Sequence, residues 1–142
     1  MTPAAGTVVD SSVLLDVFTD DPEWGGWSQA HLTQAAQRGA IVLNAVVLAE
    51  VAPRFSRIEA LQAALPSMAV VEGIPAAAAF LAGHAHADYR RAGGAREAIL
   101  PDFLIGAHAA VTARPLLTRD PRRVAVHIPG AALIAPQGHA PR

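Results

Sequence analysis

Short apolar runs alternate with longer stretches of helical spacing along most of this chain. The runs at residues 7–9, 41–43, 68–71 and 116–118 are bounded by turn-forming or polar residues, which predicts strands, the first of them buried. A fifth strand is predicted at residues 124–126. Apolar positions at helical spacing predict helices over residues 13–18, 23–38, 47–51, 58–65, 75–91 and 101–111.

This alternation of strands and helices favours an α/β fold. The expected architecture is three-layered α/β/α, with a central parallel sheet of about five strands covered by helices on both faces. Asn44 is expected to cap the helix that follows the second strand, and Pro53 is expected to bend or break it. Neither a long linker nor an internal repeat is present, so we predict one domain over residues 1–135 and a flexible tail over 136–142.

Composition excludes several classes of protein. Apolar residues make up 52% of the 142 residues, which is enough for a core, and the net charge of -1 argues against nucleic-acid binding by bulk positive charge. The chain has no Cys, which excludes disulfides and thiolate metal sites, and it has no Lys. No apolar run approaches the roughly 18 residues of a membrane span, and no signal peptide is recognisable at the start. We therefore expect a cytoplasmic protein without a membrane partner.

Four acidic residues stand where an α/β chain can bring side chains together. Asp10 ends the first predicted strand, Asp120 follows the run at 116–118, Asp102 opens a helix after Pro101, and Glu50 lies on an apolar helix. Side chains at the carboxyl ends of parallel strands converge on one crevice, and crowded carboxylates repel one another unless a cation lies between them. A divalent metal is the natural cation, so the residues themselves indicate a metal-dependent hydrolase.

The same residues lie within four segments that together carry a family resemblance. These are Val-Val-Asp-Ser-Ser-Val-Leu-Leu at 8–15, Val-Val-Leu-Ala-Glu-Val at 46–51, Leu-Pro-Asp-Phe-Leu-Ile-Gly-Ala-His-Ala at 100–109 and Arg-Pro-Leu-Leu-Thr-Arg-Asp at 114–120. In this order and at these separations, they make the chain resemble the PIN-domain ribonucleases of the VapC toxin type. The resemblance covers nearly the whole chain.

The resemblance implies a PIN-like fold and a set of site residues. Asp10, Glu50, Asp102 and Asp120 would form an acidic quartet that binds Mg²⁺ or Mn²⁺ and cleaves RNA. The family's small hydroxyl residue near the first acid would be Ser12, with Ser11 less favoured, and its threonine before the last acid would be Thr118. The further partners implied are RNA, a cognate antitoxin and a second copy of the chain in a homodimer.

The chain departs from the family pattern directly after Asp120. Many relatives carry an aromatic residue soon afterwards, whereas this chain has Pro121 followed by Arg122 and Arg123. Arg119 and Arg122 are therefore candidates for holding RNA phosphates, a role that suits the planar guanidinium group. A solvated surface is an equally good interpretation for any one of these arginines.

Other interpretations remain open. Asp10 alone is explained equally well as a helix cap, and Asp102 as a partner of the helix dipole. Asp16 is expected to be a solvated helix residue, and His108 to be packed or exposed without a functional role. A catalytically silent PIN-like domain that binds RNA or a protein is the main alternative function. A phosphoacceptor signalling domain is disfavoured because such domains use a lysine.

Overall fold

The computed structural model describes residues 5–94 and 99–136, and its centre is one parallel sheet. The strands run in the order β3-β2-β1-β4-β5, and every neighbouring pair is parallel. Their bounds are β1 (Thr7–Val9), β2 (Ile41–Leu43), β3 (Ala69–Val71), β4 (Leu116–Leu117) and β5 (Leu133–Ile134). The α/β fold class and the five-stranded sheet are confirmed.

Helices flank the sheet and connect its strands. Within the described residues they are α1 (Ser11–Phe18), α2 (Gly25–Arg38), α3 (Ala45–Val51), α4 (Ile58–Ala64), α5 (Ala76–Arg91), α6 (Leu100–Val111) and α7 (Arg122–His127). Helix α6 packs on β1 and β4 as well as on α5 and α7, whereas α1 packs on α2 and α3. None of the helices in the described ranges combines the length and the apolarity needed to cross a membrane.

The pairing of β1 with β4 brings together residues about 108 apart in the sequence, and it positions the candidate site. Val9 is in register with Leu117, so the residues that follow, Asp10 and Thr118, emerge side by side at the carboxyl ends of the two strands. The Asp10 backbone N–H donates to the Leu117 carbonyl at 2.9 Å. The backbone of Asp10 is therefore fixed by the sheet itself.

The start and end of α3 agree with the sequence. The Asn44 side chain accepts hydrogen bonds from the backbone N–H groups of Val46 and Val47, which is the expected cap. After Val51 the chain tightens into a 3₁₀ turn, Ala52–Arg54, which contains Pro53. The prediction of a bend or break at this proline is confirmed.

The strand predicted at residues 124–126 is wrong, because these residues lie in α7. Its β-branched residues suggested a strand, but tertiary packing decides their conformation. Val124 packs against α6 at Gly106, where an added Cβ would stand 2.9 Å from a Val124 methyl carbon. The fifth strand is instead Leu133–Ile134, a position at which no strand was predicted.

One apolar core is shared by the sheet and the helices. Apolar side chains from the sheet and helices form one buried cluster, which includes Val8, Leu43, Phe103 and Leu117. One domain over residues 1–135 stays a prediction, and the predicted tail lies outside the described residues beyond Pro136.

Candidate acidic active site

Asp10 is held in place by hydroxyl groups. Its Oδ2 accepts hydrogen bonds from Thr118 Oγ1 at 2.8 Å and from Ser12 Oγ at 2.9 Å. Asp10 occupies the position before α1, but its side chain makes no capping hydrogen bond, so the helix-cap interpretation does not account for it. Burial raises the pKa of Asp10, and the hydroxyl hydrogen bonds lower it only in part.

Ser11 connects Asp10 to the second acid, Glu50. Its hydroxyl donates to Glu50 Oε1 at 2.8 Å and lies 3.5 Å from Asp10 Oδ1. Burial raises the pKa of Glu50, and the charge of Asp10 raises it further. Ser12 holds Asp10 and Ser11 holds Glu50, so both serines support the acidic residues.

Asp102 lines the same small pocket as Asp10. The residues lining this pocket, called here the acidic pocket, are Asp10, Asp102, Ile105, Leu116, Thr118, Asp120, Arg123 and Val124. Burial, followed by the negative charges of Asp10 and Glu50, raises the pKa of Asp102 to about 7, although Arg123 opposes the shift. Asp102 also lies in the first turn of α6, where the helix dipole favours a negative charge.

Asp120 lies in the same pocket but has its own cation. Arg122 donates to both of its carboxylate oxygens, at 3.0 and 3.2 Å. These hydrogen bonds lower the pKa of Asp120, in contrast to the raised values of the other three acids. The Asp120 backbone N–H also donates to Thr118 Oγ1 at 3.1 Å, so Thr118 links Asp10 with Asp120.

Arg119 is engaged away from the pocket, by a residue that we expected to be solvated. Asp16 is only 2% exposed; it accepts two hydrogen bonds from the Arg119 guanidinium, at 2.9 and 3.1 Å, and one from Ser28 at 2.8 Å. The expectation of a solvated Asp16 is therefore wrong. Its partner follows it by 103 residues, so the local sequence could not reveal the pair.

The acidic residues approach one another without forming a complete metal cage. Across residues 5–94 and 99–136, no three His, Asp or Glu side chains are arranged closely enough to hold a metal ion. All the donors in the acidic pocket are nevertheless oxygens, the type that Mg²⁺ prefers. Mg²⁺ commonly keeps several waters and takes one or two carboxylates, so these residues fit a hydrated ion better than a fully ligated one.

A second set of polar residues was not recognised in the sequence. Glu72 accepts from the Arg114 guanidinium at 2.7 and 3.0 Å and from His108 Nε2 at 2.8 Å. His108 Nδ1 lies 2.9 Å from the Asn44 amide nitrogen, and because the Asn44 oxygen already caps α3, that nitrogen donates to the ring. We call Asn44, Glu72, His108 and Arg114 the Glu72 network.

The parallel sheet order and a pocket of carboxylates at its carboxyl edge define a class of α/β proteins with an acidic cleft. The chain matches the PIN domain family over residues 7–127. It belongs to that family. No curated protein matches the chain in the corresponding sequence search.

Solved structures share the fold at low sequence identity. VapBC2 from Rickettsia felis, bound to a DNA fragment from its promoter, is 19% identical, with a TM-score of 0.67 over 91% of this chain and 97% of that chain. DNA-bound VapBC from Salmonella typhimurium is 17% identical, with a TM-score of 0.68 over 93% and 98%. VapC20 from Mycobacterium tuberculosis, described as a toxin that cleaves the sarcin-ricin loop, is 19% identical, with a TM-score of 0.59 over 85% and 95%.

Proposed function

We propose that this protein is a metal-dependent endoribonuclease that hydrolyses RNA phosphodiester bonds and serves as the toxin of a toxin–antitoxin pair. One observation carries the proposal: Asp10, Asp102 and Asp120 line a single pocket in a PIN fold. Burial, followed by repulsion from Asp10 and Glu50, raises the pKa of Asp102 to about 7, so the pocket favours a cation or a proton. VapC20, which shares the fold, is described as a toxin that cleaves the sarcin-ricin loop.

The residues have separate roles in this proposal. Asp10 and Asp102 would hold Mg²⁺ or Mn²⁺, with Asp120 completing the site directly or through water. Such an ion, when bound, supplies Lewis-acid stabilisation of the phosphate and lowers the pKa of its water. Glu50, held by Ser11, would orient the attacking water.

The hydroxyl residues would keep this arrangement rigid. Ser12 and Thr118 both donate to one oxygen of Asp10, which leaves Oδ1, 3.5 Å from Ser11 Oγ, as the oxygen better placed to receive an ion. An oxygen already fixed in position loses little conformational entropy when it binds a ligand. Arg123, which borders the pocket beside Asp102, would contact the phosphate of the RNA.

An antitoxin is the proposed protein partner. Several similar structures are complexes of VapB with VapC, and one is described as a toxin–antitoxin complex from Klebsiella pneumoniae. An apolar groove along α3, α4 and the turn between them, lined by residues that include Leu48, Phe55, Ile58 and Leu61, would receive an apolar antitoxin segment. A homodimer remains part of the proposal, since the family resemblance implies one.

The proposal is tested by RNA cleavage with the purified chain. Cleavage is expected with Mg²⁺ or Mn²⁺ and is expected to stop with EDTA. Asp10→Asn should lower the rate by at least about a hundredfold, a loss typical of removing one group that stabilises charge in a transition state. The matched control is Asp88→Asn on α5, which should cleave at the normal rate. Full activity of Asp10→Asn, with a wild-type melting temperature, would refute the assignment.

A catalytically silent binding domain is the second candidate. It is favoured by the absence, among the described residues, of three ligating side chains in contact, and by the pairing of Asp120 with Arg122. Titration calorimetry separates the two functions. A silent domain would bind RNA but show no Mg²⁺ binding, whereas the nuclease should bind Mg²⁺ and lose that binding in Asp102→Asn.

A further inference from the structure

A second pocket adjoins the acidic one, and Arg123 lines both. We call it the side pocket; it has a volume of about 280 Å³ and is lined by Tyr89, Arg122, Arg123, Val126 and His127. This volume lies just below the range for small-molecule sites, roughly 300 to 1,000 Å³. The side pocket is therefore large enough for one nucleotide and too small for a base pair.

Two aromatic rings form one part of this pocket, and both are fixed by packing. Tyr89 and His127 meet edge to face at 5.6 Å, and each also packs edge to face on the buried Phe103, at 5.9 and 5.6 Å. A Cβ on Gly94 would stand 2.4 Å from the Tyr89 ring, so the glycine leaves room for that ring. Rings held in this way can stack on a base without losing further conformational entropy.

Two arginines form the other part. Arg122 is 44% exposed in its side chain and pairs with Asp120, which is 39% exposed. Exposed ion pairs of this kind contribute little to stability and exchange partners readily. Arg123 lines both pockets and lies near enough to Asp102 for its positive charge to lower the pKa of that carboxyl group.

We propose that the side pocket binds one nucleotide of single-stranded RNA next to the scissile phosphate. Tyr89 and His127 would stack on its base, while Arg122 and Arg123 would bind the flanking phosphates. This inference rests on the proposed function, since it places the substrate beside the acidic pocket. The aromatic and cationic walls match the two parts of a nucleotide. Among the described residues that line the pocket, Val126 is the only strongly exposed apolar one, and it offers little surface to an apolar protein segment.

The test measures RNA binding without cleavage. Fluorescence anisotropy follows a 5′-labelled RNA hexamer titrated with the full chain in EDTA at low salt. Tyr89→Leu should weaken binding by about 5- to 10-fold, because stacking on an aromatic ring is lost, whereas Tyr89→Phe should bind like the wild type. The matched control is Phe80→Leu, which changes an aromatic residue that is 71% exposed on the same helix and lies outside the pocket.

The arginines are tested by the salt dependence of the same affinity. For single-stranded nucleic acid, the slope of log K against log salt changes by about 0.7 for each phosphate contact. Arg122→Gln combined with Arg123→Gln should therefore reduce the slope by about 1.4, while Arg38→Gln, on the surface of α2, should leave it unchanged. Each variant is compared with the wild type by its melting temperature, so that a loss of folding is recognised.

Several results would overturn the inference. These are no RNA binding by the wild-type chain, unchanged affinity of Tyr89→Leu and of the double arginine variant, or an equal loss in Phe80→Leu. If the pocket variants lost affinity for an acidic peptide containing aromatic residues but kept their affinity for RNA, the pocket would bind protein instead. Binding is measured without metal, so a chain that binds RNA through this pocket but never cleaves it would refute only the proposed nuclease activity.

Discussion

The acidic pocket and the Glu72 network both place carboxylates beside the same sheet, yet their electrostatic surroundings are opposite. Glu72 accepts two hydrogen bonds from Arg114 and one from His108, and these partners lower its pKa to about 2. Asp102 has acidic neighbours, and burial together with their charges raises its pKa to about 7. The difference between the two pKa values reflects burial and charged partners rather than the residue type.

This comparison distinguishes a structural carboxylate from one that is available to a ligand. A partly buried carboxylate with all its partners in place stabilises the fold and has little to offer a metal ion. Buried carboxylates without a cation destabilise the fold, so their presence suggests that something else is bound during function. Asp120 is intermediate, because it lines the acidic pocket but is paired with Arg122.

The largest difference in stability is expected from removing one negative charge from the Glu72 network and, in a second variant, one from the acidic residues around Asp10. Glu72→Gln should lower the free energy of unfolding by about 2 kcal/mol, a value below that for a fully buried pair because the Glu72 side chain is 33% exposed. Glu50→Gln should leave stability unchanged or raise it, since it relieves repulsion from Asp10. Urea denaturation at pH 7 measures both, and equal losses in the two variants would contradict the comparison.

The contributions of Glu72 and Asp102 to the pH dependence of stability should have opposite signs. The lowered pKa of Glu72 gives stability that is present above its ordinary value of 4.5 and is lost as the pH falls towards about 2. The raised pKa of Asp102 means that the folded chain holds this proton more tightly. Stability should therefore fall as the pH rises from 3.8 to about 7.

The raised pKa of Asp102 can also be tested by the pH dependence of Mg²⁺ binding. Its carboxyl group must lose a proton to bind an ion, so Mg²⁺ affinity should rise by up to about tenfold per pH unit below pH 7 and then level off. Calorimetry at a series of pH values measures this. A flat profile in the wild type, or an unchanged profile in Asp102→Asn, would show that another group controls binding.

A smaller effect is expected at Gly106, which allows α7 to approach α6. Gly106→Ala would place a Cβ 2.9 Å from Val124 and should cost about 1 to 2 kcal/mol of stability. Gly83→Ala is the matched control on α5, where a Cβ meets no atom within 4 Å, and it should stabilise the helix by about 0.5 kcal/mol. Thermal unfolding compares the two, and a stabilising Gly106→Ala would show that α7 is free to move.

Local patterns in the sequence were enough to predict much of the fold and the helix or strand beside which each of the four acids lies. The β-branched run before Asp10 and the cap at Asn44 depend on neighbouring residues, so they could be recognised without the structure. The helix at Arg122–His127 could not, because its conformation depends on packing against Gly106, many residues earlier. Propensity alone assigned its valines to a strand.

The hydrogen bonds and ion pairs that could not be predicted join residues that are far apart in the sequence. Glu72 is separated from His108 by 36 residues and from Arg114 by 42, so no short window of sequence contains the pair. The same holds for Asp16 and Arg119. For the acidic quartet the family resemblance supplied this long-range information, whereas no comparable motif marked the Glu72 network.

The Thr118 hydroxyl limits which amino acids can occupy its position. A hydroxyl has one proton to donate and lone pairs that accept, and here the proton goes to Asp10 while a lone pair receives the Asp120 backbone N–H. Only serine offers the same short side chain with both properties. Homologues that carry valine or alanine here should also have replaced the first acid, so an alignment of natural variants would show the two positions changing together.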